Sequence, residues 1–144
     1  MKSSVLFLSL VTLMLATLGC QTKATKTESL YTRIGGQPAI NTAVDLFYVK
    51  VLADEKVSHF FEDINMNKQA NKQKQFLGAV LGGPVPYEGR NMRSAHKSLE
   101  LTEADFGAIA GHLQATLEEL KLDPGLIGEV MTLVATTKDD VLNR

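Results

Sequence analysis

Two glutamines are spaced so that both side chains can reach one apolar pocket. Gln69 and Gln73 lie four residues apart and share a helix face, which continues through Phe76 and Val80 as apolar residues expected to be buried. An amide that points towards a core costs about 1–3 kcal/mol unless it finds a hydrogen-bond partner, and a polar guest would be such a partner. The alternative, that both amides lie at the solvent edge of this face, stays open from spacing alone.

One tyrosine and three histidines are the other candidates for a site. Tyr48 lies on the apolar stripe of its own helix, either as a core residue or as a donor into a pocket. His59 lies in a turn, and His112 falls on the half-solvated flank of a later helix. His96 follows Met92 by four residues and so lies on the apolar side of a short helix. Such a histidine is either packed or a ligand, for example of haem iron, and periodicity does not decide between the two.

Apolar residues that recur every three or four positions predict the helices that carry these side chains. Gly35 and Gly36 end a short opening helix. The next helix is predicted over about residues 38–52, with a buried stripe formed by Ile40, Ala43, Val44, Phe47, Tyr48 and Val51. A second long helix is predicted over about residues 67–81, and the sequence Gly82-Gly83-Pro84 ends it.

The second half of the chain is also predicted to be helical. A brief helix is expected over about residues 92–99, and Thr102 with Asp105 predicts a capping box at the start of the next helix. Asp123 and Pro124 open the last helix, whose stripe extends to Val141. No alternating strand pattern of useful length and no internal repeat occur, so the fold class is all-α, with crossed helices on a shared core.

Composition excludes several classes of protein. The 144 residues are 44% hydrophobic and 22% charged, which is typical of a single globular domain. Fifteen basic residues against 16 acidic residues provide no basic footprint for nucleic acid. A single cysteine excludes a disulfide framework, a cysteine-rich zinc site and a CxxCH haem attachment. The small net charge and the lack of a long exposed apolar run favour a monomer.

The N-terminus has the pattern of a targeting segment. Lys2 precedes fourteen uncharged residues, Val5 to Leu18, which form a run that is short for a bilayer span. With Gly19 before Cys20, residues 1–19 resemble a bacterial lipoprotein signal, which implies an acylated Cys20 and attachment to the periplasmic side of a membrane. Gln21 favours the outer membrane by the same resemblance. An ordinary secretory signal or an uncleaved anchor are the alternatives. Residues 20–28 are polar and are interpreted as a tether to a domain over residues 29–144.

Six sequence segments, in this order and spacing, carry a family resemblance. They are SLYTRIGG (29–36), FYVKVLAD (47–54), HFFEDINMNKQ (59–69), FLGAVLGG (76–83), PYEGRNMRSAH (86–96) and DVLNR (140–144). Together they resemble the group I truncated haemoglobins over about residues 29–144. The resemblance implies a truncated globin fold, a two-over-two helical sandwich that encloses one non-covalent haem b.

The resemblance also assigns roles to individual residues. His96 matches the proximal ligand of the haem iron, Tyr48 the distal tyrosine, and Gln69 and Gln73 the two distal amide positions. Phe61 matches a phenylalanine that packs on the haem face. The remaining cofactor-binding matches are four apolar pocket positions, a cation that can reach a haem propionate and a loop tyrosine, which are Phe47, Phe76, Leu77, Met92, Lys72 and Tyr87 in that order.

Two positions depart from some relatives. Residues 135–144 contain no histidine, so no covalent crosslink to haem is expected. Lys72 stands where some relatives place a histidine that binds as a sixth ligand. Because lysine can ligate only when deprotonated, a mainly open or water-bound sixth site is expected.

The resemblance implies binding of dioxygen, nitric oxide and carbon monoxide. Bound dioxygen takes on negative charge, so donors at Tyr48, Gln69 and Gln73 are expected to slow its release, whereas carbon monoxide takes on little charge. The resemblance further implies nitric oxide dioxygenation to nitrate. Because no flavin or nicotinamide motif occurs, an unidentified electron donor would be required. A non-enzymatic oxygen or haem binder, a redox sensor and a cofactor-free helical lipoprotein are the alternatives.

Overall fold

The computed structural model describes residues 27–144. The predicted signal segment 1–19, Cys20 and most of the predicted tether lie outside the described residues, while Thr27 and Glu28 are exposed and carry no regular secondary structure. Within the described range no helix combines the length and the apolar composition that a membrane crossing needs.

The described chain is built from helices, with no strand between residues 27 and 144. These elements are α1 (Leu30–Arg33), α2 (Gly36–Ala53), a single 3₁₀ turn (Ser58–Phe61), α3 (Met66–Val80), α4 (Met92–His96), α5 (Glu103–Glu119), α6 (Pro124–Thr136) and α7 (Lys138–Val141). Helix α2 packs against α3, α5 packs against α6, and α2 also contacts α5, so two helix pairs are stacked on one another. The predicted all-α class is confirmed.

Helix α2 supplies the centre of the core. All six residues of its predicted stripe are buried, and Val44 and Val51 are at most 1% exposed. Leu117 of α5 and Ile127 and Val130 of α6 join the same cluster. Because α2 contacts both α3 and α5, its stripe fixes how the two helix pairs sit on each other.

A close contact near the start of α2 positions α3. A Cβ at Gly78 would lie 2.8 Å from Gln37 Oε1, so a larger residue here would displace the Gln37 side chain from its position between the two helices. The Gln37 side-chain amide donates to Asn41 Oδ1 at 3.0 Å and to the Lys74 carbonyl at 3.4 Å. Lys74 also forms an ion pair with Asp45 at 2.7 Å. These contacts fix α3 on α2, and with it the face that carries the two glutamines.

The predicted end of α3 is confirmed. Gly82 has a φ of +88°, a left-handed conformation that favours glycine. The Gly83 N–H donates to the Gly78 carbonyl at 2.8 Å. A Cβ at Gly83 would lie 2.5 Å from that same carbonyl oxygen and 2.8 Å from the Tyr31 ring. The turn therefore requires glycine at both positions.

Side chains that the sequence singled out cap two helices. Thr102 accepts from the Asp105 N–H while the Asp105 carboxylate accepts from the Thr102 N–H, so the predicted capping box is present at α5. Asp123 accepts from the N–H groups of Gly125 and Leu126 at the start of α6.

Three local predictions were wrong. Helix α4 ends at His96 rather than Leu99, because the chain leaves the helix in a turn and Glu100 adopts a left-handed φ of +48°. The last helix is interrupted at Thr137, so Val141 belongs to α7. There the Thr137 N–H and hydroxyl both bind the Val134 carbonyl, which tightens the helix end. Val80, expected to be buried, is 38% exposed because it lies in the last turn of α3.

Candidate functional site

Two predicted site residues meet between α2 and α3. The Gln69 side-chain amide donates a hydrogen bond to the Tyr48 hydroxyl oxygen at 3.2 Å. Tyr48 is 7% exposed and Gln69 is half-buried. Because the hydroxyl oxygen accepts from Gln69, the proton of the same hydroxyl is free to donate elsewhere.

Aromatic rings hold Tyr48 in place. Its ring makes edge contacts with Phe47 at a centroid distance of 5.1 Å and with Phe61 at 5.8 Å. Burial raises the pKa of Tyr48, an effect that the hydrogen bond from Gln69 partly offsets. The hydroxyl therefore stays protonated, which is the only state in which it donates a hydrogen bond.

The other residues predicted on α3 lie along the same helix. Gln73 is half-buried one turn beyond Gln69, and Lys72 beside it is exposed. The ring of Phe76 contacts the Tyr87 ring edge-on at 5.4 Å, which ties the loop after α3 back to the helix. Leu77 is also half-buried. Both glutamines are half-buried, which is the exposure expected of amides at the solvent edge of this face, so burial alone leaves that alternative open.

The three histidines have different surroundings. His112 Nε2 lies 2.7 Å from Asp54 Oδ2, a contact that joins α5 to the end of α2 and lowers the pKa of Asp54. His59 is exposed and its ring stacks against Phe60 at 4.0 Å. His96 Nδ1 lies 2.8 Å from the Met92 carbonyl oxygen. A carbonyl oxygen only accepts, so Nδ1 carries a proton, and in the neutral form of the ring Nε2 then presents a lone pair.

This donor set fits haem. A neutral imidazole whose Nδ1–H binds a backbone carbonyl is oriented to ligate iron through Nε2. Apolar side chains predicted around it are left only half-covered by the protein, as a flat apolar cofactor requires, and these are Phe61, Phe76, Leu77, Tyr87 and Met92. Lys72 is exposed on α3, where a cation can reach a propionate. His96 would hold the iron, and the apolar group would pack on the porphyrin.

One set of residues near His96 was missed by the sequence analysis. Arg93, on the same short helix, donates to Asp140 and to the backbone carbonyl of Arg144. The segment 140–144 was recognised only as part of a family pattern. An arginine three residues before the candidate ligand was the available signal, but its acidic partner lies 47 positions away in the chain.

A family model describes nearly all of the described chain. Residues 29–143 match the model of the bacterial-like globins. A group 1 truncated haemoglobin of Tetrahymena thermophila is 44% identical over 119 residues, an alignment that covers 83% of this chain and 98% of the relative.

Solved structures show the same architecture. The Fe(III) form of the Tetrahymena pyriformis truncated haemoglobin is 43% identical, with a TM-score of 0.77 over 80% of this chain and 98% of that one. A 2/2 haemoglobin of Synechococcus, solved in the cyanomet state with covalently attached haem, is 45% identical, with a TM-score of 0.78 over 81% of this chain and 100% of that one. The stacked helix pairs are thus those of truncated 2/2 globins.

Proposed function

The chain belongs to the bacterial-like globin family as a group 1 truncated haemoglobin, and from that premise we propose that it converts nitric oxide and dioxygen to nitrate. The fold is that of a haem-binding, oxygen-binding globin, and its cofactor is a single non-covalent haem b. When bound, haem supplies an iron that takes up diatomic gases and exchanges electrons. We propose that His96 ligates the iron and that the hydrogen-bond donors on α2 and α3 control how tightly a gas is held.

The hydrogen bond between Gln69 and Tyr48 is the observation that carries the proposal. Gln69 donates to the Tyr48 oxygen, so the Tyr48 hydroxyl proton is directed away from Gln69 and can donate to a polar guest. The second N–H of Gln69 and the amide of Gln73 are further donors on the same helix face. Each donated bond contributes about 0.5–1.5 kcal/mol net to holding a gas that carries partial negative charge.

Such donors favour dioxygen over carbon monoxide and slow its release. Slow release suits chemistry on the bound gas better than transport. In the proposed reaction one nitric oxide and one dioxygen combine with one electron to form nitrate, so each turnover consumes one electron. An external electron donor supplies it. No acid–base residue is needed, which agrees with a pocket whose polar groups, Tyr48, Gln69 and Gln73, are all uncharged.

Two measurements test this function. Replacing Tyr48 with Phe removes one donated bond and should speed oxygen dissociation about 2- to 12-fold in stopped-flow experiments. Tyr31→Phe is the matched control, because Tyr31 packs against Gly36 and Gly83 instead. An unchanged rate in the Tyr48 variant would remove Tyr48 from the mechanism.

The reaction itself is tested by mixing the oxygenated protein with nitric oxide. One nitrate per haem is expected, and a reductase with NADH should then sustain turnover. If no nitrate forms, dioxygenation is refuted, and the protein is a non-enzymatic oxygen or haem binder or a redox sensor.

We also propose that the globin domain is exported and anchored by lipid on Cys20 at the periplasmic side of an outer membrane. The uncharged segment 5–18, Gly19 before Cys20 and Gln21 after it support this placement. The electron donor would then be a membrane-bound or periplasmic carrier.

A further inference from the structure

The helix that carries His96 has little of its own to hold it in place. Helix α4 contains five residues, of which only Met92 and His96 are partly covered, while Arg93, Ser94 and Ala95 are exposed. Its main packing partner among the described helices is α7, the last helix of the chain. The orientation of His96 therefore depends on how α4 is fixed to α7.

Arg93 makes that connection. Its guanidinium approaches Asp140 Oδ1 with two nitrogens, Nε at 3.1 Å and Nη2 at 3.0 Å. Nη2 also donates to the backbone carbonyl of Arg144 at 2.9 Å. Arg93 precedes His96 by three residues, so the two side chains are neighbours on the surface of α4.

A further layer of ion pairs ties α7 to the rest of the fold. Arg144 binds Glu103 at 2.8 Å and Asp139 at 3.4 Å, and Lys138 binds Glu103 at 3.1 Å. The cations Arg144 and Lys138 lower the pKa of Glu103, which is the first residue of α5. A continuous chain of contacts thus runs from the start of α5 through α7 to Arg93.

We propose that Arg93 is a positioning residue for His96, holding α4 against α7 so that the imidazole keeps one orientation towards the haem iron. The inference rests on the proposed ligation by His96. A single exposed ion pair contributes little, but Arg93 binds two acceptors with a planar donor group. Since α4 has few other contacts, loss of the Arg93 contacts should change the orientation of the His96 imidazole or make it more variable.

The experiment compares Arg93→Ala and Arg93→Lys with Arg33→Ala in the haem-loaded full chain. Arg33 is also an exposed arginine with two hydrogen bonds to acceptors distant in sequence, the two carboxylate oxygens of Glu129 at 2.6 and 2.7 Å, but it connects α1 to α6. We expect Arg93→Ala to shift and broaden the iron–histidine stretching band of the ferrous protein in resonance Raman spectra. It should also speed haem transfer to apomyoglobin by about threefold to tenfold. Arg93→Lys should show smaller changes in both the band and the transfer rate than Arg93→Ala, because lysine keeps the charge but lacks the planar guanidinium.

Hydrogen exchange separates this proposal from the proposed function. Amide exchange over residues 92–97 should be faster in Arg93→Ala and unchanged in Arg33→Ala. If the wild-type protein shows no iron–histidine band, ligation by His96 fails, while faster exchange in Arg93→Ala still confirms the anchor. An unchanged band, transfer rate and exchange in Arg93→Ala would overturn the proposal, as would equal changes in Arg33→Ala.

Discussion

The contact between Gln69 and Tyr48 should make their effects on oxygen release depend on each other. In the structure Gln69 donates to the Tyr48 oxygen and so orients the hydroxyl that we propose donates to the gas. The perturbation is a cycle of Tyr48→Phe, Gln69→Leu and the double variant. Once the Tyr48 hydroxyl is gone, Gln69 has nothing to orient, and its removal should cost less than it does in the wild-type protein.

The geometry sets the size of this coupling. At 3.2 Å the bond between two neutral groups is at the long end of the normal range, which corresponds to the lower part of the net value, about 0.5–1 kcal/mol. That free energy corresponds to a factor of about 2 to 5 in a rate or equilibrium constant. The double variant should therefore release oxygen about 2 to 5 times more slowly than the product of the two single effects predicts.

Oxygen dissociation in a stopped-flow instrument, with carbon monoxide as the replacing ligand, measures all four rates. A control cycle uses Gln114→Leu in the place of Gln69→Leu. Gln114 is an exposed glutamine of α5 whose amide donates to Glu118. Tyr48→Phe and Gln114→Leu should combine as a simple product. If Tyr48→Phe and Gln69→Leu also combine as a simple product, the Gln69 amide does not act through the Tyr48 hydroxyl, and the reasoning is refuted.

Further predictions concern alkaline stability, the turn after α3 and the N-terminus. Because burial raises the pKa of Tyr48, the unfolded chain loses this proton before the folded chain does, so stability falls above about pH 10, by up to about 1.4 kcal/mol per pH unit from this group. Chemical unfolding of Tyr48→Phe should show a shallower alkaline decline, and an identical slope would contradict the shift. Gly83→Ala should lower the melting temperature because its Cβ meets the Gly78 carbonyl at 2.5 Å, whereas Gly107→Ala, with open space around it, should raise stability by about 0.5–1 kcal/mol. Cys20→Ser should abolish incorporation of labelled palmitate in a bacterial host, and retained label would exclude acylation of this cysteine.

The long helices could be predicted from the sequence because burial follows periodicity. The α2 stripe is buried at every predicted position, since α2 packs against both α3 and α5 and its apolar face is covered along its length. The helix ends could also be predicted, because they depend on local features. Gly82 adopts a left-handed backbone conformation that favours glycine, and the Thr102 side chain accepts a hydrogen bond from a backbone N–H in the first turn of α5. The break at Thr137 was not predicted, because threonine occurs in many helix interiors and its hydroxyl ends a helix only in some.

The sequence identified the residues of the site but not the contacts between them. Spacing placed Gln69 and Gln73 on one face, yet it could not show that Gln69 reaches Tyr48 across 21 positions of sequence. The tautomer of His96 depends on the backbone carbonyl of Met92, which a helix supplies only when the ring takes one rotamer. Arg93 found its partners 47 and 51 positions away, so no local pattern could indicate them.

The two sides of the proposed haem site use different physical interactions, and this separation has a functional reason. The donors on α2 and α3 are uncharged, and Tyr48 is buried, so they can stabilise partial charge on a gas without bringing a full charge out of water. The ion pairs of Arg93 lie on the exposed side of α4, where water solvates their charges and the desolvation cost is small. A charged group in place of Gln69 would either need a partner or shift its pKa, and it would respond to pH. Neutral donors can therefore stabilise the gas while charged groups at the surface anchor α4, and neither set places an unpaired charge in the site.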